Sequence, residues 1–200
     1  MAGKVRAEDS FSGLASAAGL LKRTRRSGWY RKGWVQEKNS ESVADHSFRA
    51  ALLGCALAEG MGLDSGKVAR MCLLHDLAES EIGDLMPEEK ESELQHRRTE
   101  DRVVRSILNP LPKKASERLL LDWKELLAKE TPEARLSWHV DKLEMGLQAL
   151  DYAQDINGES RRRQFLSEFS PARELPVELQ RILKSYARRK RKRRRNEKKS

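Results

Sequence analysis

From Leu136 to Leu150 the apolar residues Leu136, Val140, Leu143, Leu147 and Leu150 recur alternately four and three positions apart. That interval places them on one stripe of an α-helix. Comparable stripes occur at Leu14, Ala17, Ala18 and Leu21, at Val68, Met71, Cys72, Leu74 and Leu77, and at Leu119, Leu120, Trp123, Leu126 and Leu127. No run alternates apolar and polar residues for long enough to make a strand, so a sheet has nothing to be built from. The expected fold is all-α, a single globular helical bundle. A chain of 200 residues suits one domain with a real core and is short for two. The expected divisions are a disordered leader over 1–10, the globular domain over 11–187 and a basic, disordered tail over 188–200. Within the domain, Met86-Pro87 is expected to open a charged helix running towards Leu108, and Asn109-Pro110-Leu111-Pro112 to separate it from the next. Thr131-Pro132-Glu133 opens the long helix, and Pro176 the last one.

The net charge of +9 is concentrated at one end. Residues 188–200 hold ten Lys/Arg against one Glu, and the remaining 187 residues hold thirty of each sign. The body of the protein is balanced, and any general affinity for polyanions lies in the tail. The run Arg188 to Arg195 is eight consecutive basic residues, which repel one another and are expected to be solvated. A nuclear-type targeting signal read by an import receptor, a nucleic-acid contact and a merely solubilising tail all fit such a run. Cys55 and Cys72 fall inside amphipathic segments and provide no disulfide framework, which points to a reducing compartment. The longest apolar stretch, Ala50 to Ala58, is far below the roughly 20 residues that cross a bilayer. The protein is expected to be soluble and cytoplasmic, or nuclear if the basic run is a targeting signal.

Glu41 to Asp84 reads as two consecutive helices carrying His46, the pair His75-Asp76, Glu79 and Asp84. The second is expected to start at Asp64 or Ser65 and to run to Gly83. His75 and Glu79 are four apart and Asp76 and Glu79 three apart, so an imidazole and two carboxylates would share one helix surface. Imidazole nitrogen and carboxylate oxygen together bind Mn, Fe, Co, Ni or Zn, and Mg where oxygen dominates. A lone His-Asp dipeptide is weak evidence, and His46 alone is more often a satisfied helix-start histidine. The set is stronger than its parts. Asp141 lies beside the Leu136–Leu150 stripe, where an unpaired carboxylate is costly, so a metal or a basic partner must satisfy it. His139 is the rival ligand there. It lies roughly 200° round the helix from Asp141, so the two do not face one ion.

A His, then His-Asp, then a distant Asp resembles the signature of the HD-domain superfamily of metal-dependent phosphohydrolases. Glu41-Ser42-Val43-Ala44-Asp45-His46, Leu74-His75-Asp76-Leu77-Ala78-Glu79 and Ile82-Gly83-Asp84 are similar to the HD-domain 5′-deoxynucleotidase family. So are Arg26-Ser27-Gly28-Trp29 and Val140-Asp141-Lys142-Leu143-Glu144-Met145, and the resemblance runs from Leu14 to Tyr186. The link from Tyr30 to Ser40 is longer than the family's usual one, which leaves open whether Trp29 or Trp34 lines the site.

The resemblance implies a metal ion at His46, His75, Asp76 and Asp141, a substrate-binding Arg26, and Trp29 against a sugar or base. It also implies deoxyribonucleoside 5′-monophosphates as substrates, several bases accepted, and a homodimer. With such an ion, water attacks phosphorus directly and no Ser, Cys or Asp nucleophile is needed. One divalent ion cancels Asp76 and Asp141, so Glu79 and Asp84 leave an excess of negative charge. Arg26, a held proton, or a second cation at Glu79 and Asp84 would offset it. Glu79 is assigned as general base and Asp84 as a contact to the sugar hydroxyl or leaving oxygen, with the reverse division open. The competing activities are hydrolysis of a nucleoside triphosphate or of a cyclic or signalling nucleotide, and nucleic-acid binding through the tail.

Overall fold

The computed structural model describes residues 7–90, 92–169, 171 and 174–197; residues 1–6 of the expected leader and 198–200 of the expected tail lie outside them. Among the described residues the regular structure is helical, with one isolated antiparallel bridge between Arg25 and Ser42. The chain forms two compact units, divided after Ser137.

The first unit contains α1 (Ala7–Leu21), α2 (Ser27–Tyr30), α3 (Val43–Met61), α4 (Ser65–Leu74), α5 (Glu79–Ile82), α6 (Glu93–Leu108), α7 (Lys113–Ala128) and the first turns of α8 (Pro132–Tyr152). Helix α1 begins at Ala7, inside the stretch expected to be a leader. The start of α3 is fixed by a capping box: the Ser42 hydroxyl accepts from Asp45 N–H, and the Asp45 carboxylate accepts from Ser42 N–H. Its end is fixed by Gly62, whose φ of 69° is left-handed, with its N–H turned back to the Ala58 and Glu59 carbonyls. Asp64 then caps α4 by accepting from Lys67 N–H at 2.8 Å. This short, doubly capped turn lays α3 along α4. Helices α1 and α7 pack against the other elements around them, and Val43, Met71, Val104, Leu108, Trp123 and Ala134 form the buried centre.

Two expected helix boundaries are corrected. The helix expected to run to Gly83 stops at Leu74; His75 to Ala78 form a turn, and α5 is a separate short helix. The break matters, because adjacent residues of an unbroken helix point about 100° apart, whereas a turn lets His75 and Asp76 face the same place. The charged helix does not begin at Pro87, which belongs to a 3₁₀ turn over Pro87–Glu89. Helix α6 begins at Glu93, where the Ser92 hydroxyl accepts from Gln95 N–H. His96, expected on the wet face, is only 13% exposed and lies 3.0 Å from Glu100.

The second unit holds the remainder of α8 with α9 (Glu159–Glu168) and α10 (Val177–Glu197). Gly146 of α8 is met closely by Pro171 and Leu183, where a Cβ would stand 3.1 Å from each. Phe165, fully buried, packs on Phe169 with ring centroids 5.0 Å apart. The Tyr186 hydroxyl donates to Asp151 at 2.7 Å and Lys190 Nζ lies 2.5 Å from the same carboxylate. Helix α10 continues through the basic run to Glu197, where a disordered tail was expected from residue 188. Lys and Arg are good helix formers, and the Asp151 anchor joins the first basic turn to α8.

Candidate metal centre

Segment 24–27 lies antiparallel beside segment 40–43: Arg26 N–H donates to the Glu41 carbonyl and Val43 N–H to the Thr24 carbonyl. The Ser40 hydroxyl donates to the Arg26 carbonyl, and the Arg25 guanidinium donates to the Ser40 carbonyl at 2.8 Å. Arg26 is thereby held next to the start of α3, which carries His46 in its first turns. His46 is fully buried.

The centre of the site is a close group of nitrogen and oxygen atoms. His46 Nε2 and His75 Nε2 are 3.1 Å apart. Asp76 Oδ2 lies 3.0 Å from His75 Nε2 and 3.8 Å from His46 Nε2. The Cys72 carbonyl lies 2.7 Å from His75 Nδ1. A carbonyl only accepts, so Nδ1 carries the hydrogen, and Nε2 of the neutral ring turns its lone pair to His46 and Asp76. Three potential ligand atoms then face one another, with Arg26 supplying one N–H to Asp76 Oδ2. Such a set suits a divalent cation. Ligand atoms about 2.1 Å from one ion stand roughly 3.0 Å apart at right angles and roughly 3.4 Å apart in a tetrahedron, and the observed separations fall around those values. The residues fit a divalent ion.

Arg26 donates to Asp76 Oδ2 at 2.9 Å, so the expected substrate-binding arginine is in contact with an expected ligand. Burial tends to raise the Asp76 pKa, but its interactions with His75, then with Arg26 and His46, outweigh it and hold the carboxylate well below its ordinary range. Glu79 behaves oppositely. Burial first, then the charges of Asp76 and Asp84, raise it well above the ordinary glutamate value against the opposing pull of Arg26 and Lys90. Its Oε2 is buried with no hydrogen-bond partner among the described residues. A buried carboxylate oxygen left without a partner is costly and calls for a proton, a water or a cation. Asp84, beyond Gly83, accepts a short hydrogen bond from the Ser27 backbone N–H at the start of α2. Gly83 has a φ of 76°, which turns the chain back after α5.

Trp29 is 3% exposed and its Nε1–H donates to Glu41 Oε1 at 2.9 Å. Trp34 is partly exposed. Asp141 belongs to the second unit, on α8, with Lys142 Nζ at 3.4 Å. Sequence reasoning did not find the Cys72 carbonyl, the Ser27 N–H or the Glu41 carboxylate as supports of the site. Two of these are backbone groups with no residue-type signal, and Glu41 was read only as part of a helix start.

The HD domain family model matches residues 18–177, which spans both units. The chain is 34% identical over 151 residues to the 5′-deoxynucleotidase YGK1 of Saccharomyces cerevisiae, covering 74% of this chain and 68% of that protein. It is 34% identical over 141 residues to the 5′-deoxynucleotidase HDDC2 of Dictyostelium discoideum, covering 67% and 73%. Among solved structures, a Pyrococcus horikoshii protein superposes with a TM-score of 0.64 at 30% identity, covering 89% of this chain and 98% of that one. With the His, His-Asp order and the converging side chains, these matches show that the chain belongs to the HD domain family.

Proposed function

We infer that the chain is an HD-type 5′-deoxynucleotidase, which hydrolyses deoxyribonucleoside 5′-monophosphates to the deoxynucleoside and phosphate. The observation that carries this reading is the approach of His46, His75 and Asp76 to within 3.0–3.8 Å of one another beside a buried Glu79. It is supported by relatives, themselves named 5′-deoxynucleotidases, over most of the chain. His46, His75, Asp76 and Asp141 are the proposed ligands; Asp141 enters by its order along the chain and by the charge a divalent ion needs. A bound Mn, Co, Mg, Fe or Zn ion would polarise the phosphate and lower the pKa of water.

The protein groups then have separate tasks. Glu79, in its ionised form, accepts a proton from the attacking water, and burial strengthens its hold on that proton. Arg26 can swing from Asp76 to phosphate oxygens, where its planar fork makes two hydrogen bonds and offsets the dianion's charge. Asp84, with one oxygen on Ser27 N–H, retains acceptor capacity for a sugar hydroxyl or the leaving oxygen. Trp29 orders Glu41 through its indole N–H, and the partly exposed Trp34 is the proposed contact for sugar or base. A second cation at Glu79 and Asp84 is the alternative to a proton on Glu79. We also propose a homodimer, tested by sedimentation velocity. No helix among the described residues is long and apolar enough to cross a membrane.

Phosphate release from a panel of deoxynucleoside and ribonucleoside monophosphates, triphosphates and cyclic nucleotides tests the substrate class. The reading expects turnover of deoxynucleoside monophosphates above all others. Activity confined to triphosphates or cyclic nucleotides would reject it.

A further inference from the structure

Beyond the hydrolase site, the second unit carries a dense concentration of positive charge. Helix α10 takes the run Arg188 to Arg195 as regular helix. At 100° per residue, consecutive cations distribute around the whole circumference. Arg188, Arg189, Arg191, Lys192 and Arg193 are exposed. The run contains no acid, and Asp151 of α8 is matched by Lys190 and the Tyr186 hydroxyl.

This helix also lines a cleft of about 480 Å³, together with Arg162, Arg163, Leu150 and Leu166, and contributes Lys190 and Arg191 to it. Glu159 is the acid among the lining residues, and it is paired to Arg162 at 2.9 Å and Arg163 at 3.5 Å. Arg162 is also tied to the Ala153 and Ile156 carbonyls, which fixes that side of the cleft.

We propose that the basic part of α10 and this cleft form a nucleic-acid-binding surface, with the backbone phosphates along Arg188–Arg193 and a flanking contact at the cleft. A cationic helix anchored on one side through Lys190 and exposed at Arg188, Arg189, Arg191, Lys192 and Arg193 suits a polyanion whose charges are closely spaced. Six of its eight residues are Arg, the side chain best matched to phosphate in shape. An anionic membrane fits less well, because an interfacial helix needs an apolar face and none continues past Ala187. The surface shares no residue with the proposed hydrolase site, so this inference does not rest on the deoxynucleotidase reading.

The test is fluorescence anisotropy of the full chain with labelled single-stranded RNA and duplex DNA, between about 50 and 200 mM salt. It is repeated on a variant combining Arg188→Gln, Arg189→Gln, Arg191→Gln and Lys192→Gln, with Arg163→Gln examined separately. The expected result is binding at low salt that weakens on the order of 10³-fold across that range. The quadruple variant is expected to bind at least tenfold more weakly with a shallower salt slope, and Arg163→Gln several-fold more weakly. Helical circular dichroism and phosphate release should be unchanged in both, separating loss of binding from loss of fold. Lack of binding at the lowest salt, an unaltered slope in the quadruple variant, or stronger capture by anionic vesicles or an import receptor than by nucleic acid would overturn the proposal.

Discussion

The Nε2 atoms of His46 and His75 face each other at 3.1 Å, and the Cys72 carbonyl fixes the tautomer of His75. Two imidazole nitrogens and a carboxylate oxygen brought this close together are a donor set that suits a divalent cation. Calorimetric titration of chelator-treated protein with Mn or Co is therefore expected to show binding, with a rise in melting temperature. His75→Ala should lose both effects, while its metal-free melting temperature stays within a few degrees of the native protein. An undiminished metal response in the variant would contradict this assignment.

Glu79 gives a pH prediction whose sign follows from its raised pKa. The fold favours its protonated form, so the group costs nothing below the unfolded value of about 4.3 and an increasing amount as pH climbs above it. Glu79→Gln should remove that cost. Metal-free Glu79→Gln protein is expected to melt higher at neutral pH, by about 2–4 °C per kcal/mol relieved, with the difference closing near pH 4. Hydrolysis should fall about 10²–10⁴-fold in the same variant. A melting temperature unchanged or lowered across the pH range would remove the basis for Glu79 as the proton acceptor.

Arg26 touches Asp76 at 2.9 Å and is assigned to phosphate once substrate arrives. Arg26→Ala is expected to lower kcat/KM on the order of 10²-fold, about 2.7 kcal/mol. Arg26→Lys should recover only part of that loss, because a point charge does not reproduce the planar fork. Full recovery by Lys would reduce the residue to simple charge balance. Steady-state kinetics with a deoxynucleoside monophosphate distinguishes the outcomes.

Trp29 separates support from contact. Its indole N–H is engaged by Glu41 and the ring is buried. Trp29→Phe should therefore destabilise the protein by about 1–3 kcal/mol, the cost of leaving a buried partner unpaired, with KM for nucleotide little changed. Trp34→Ala should do the reverse, raising KM with little effect on the melting temperature. A large KM effect confined to the Trp29 variant would return Trp29 to the substrate.

The all-α class was legible because stripes such as Leu136 to Leu150 and Val68 to Leu74 have only one reading as buried faces. The centre was legible for another reason: His46, His75 and Asp76 are residue types that bear chemistry and stand in a familiar order. What escaped was set by backbone geometry. The break after Leu74 carries no Pro or Gly, yet it makes neighbouring His75 and Asp76 converge. The hold of Ser27 N–H on Asp84 depends on segment 24–27 lying beside segment 40–43, a long-range pairing without local pattern. The basic run shows the limit of charge arguments: self-repulsion suggested a solvated chain, while helix propensity and the Asp151 anchor favour helix α10.

The central claim is that Asp76 and the two histidines hold the ion that makes phosphate hydrolysis possible. Phosphate release from dAMP and AMP with Mn, Co or Mg, compared between the native protein and Asp76→Ala, tests it most directly. The account predicts metal-dependent release, faster from dAMP, that falls to background in Asp76→Ala while the variant keeps its helical circular dichroism. Equal, metal-dependent release by both proteins would contradict it.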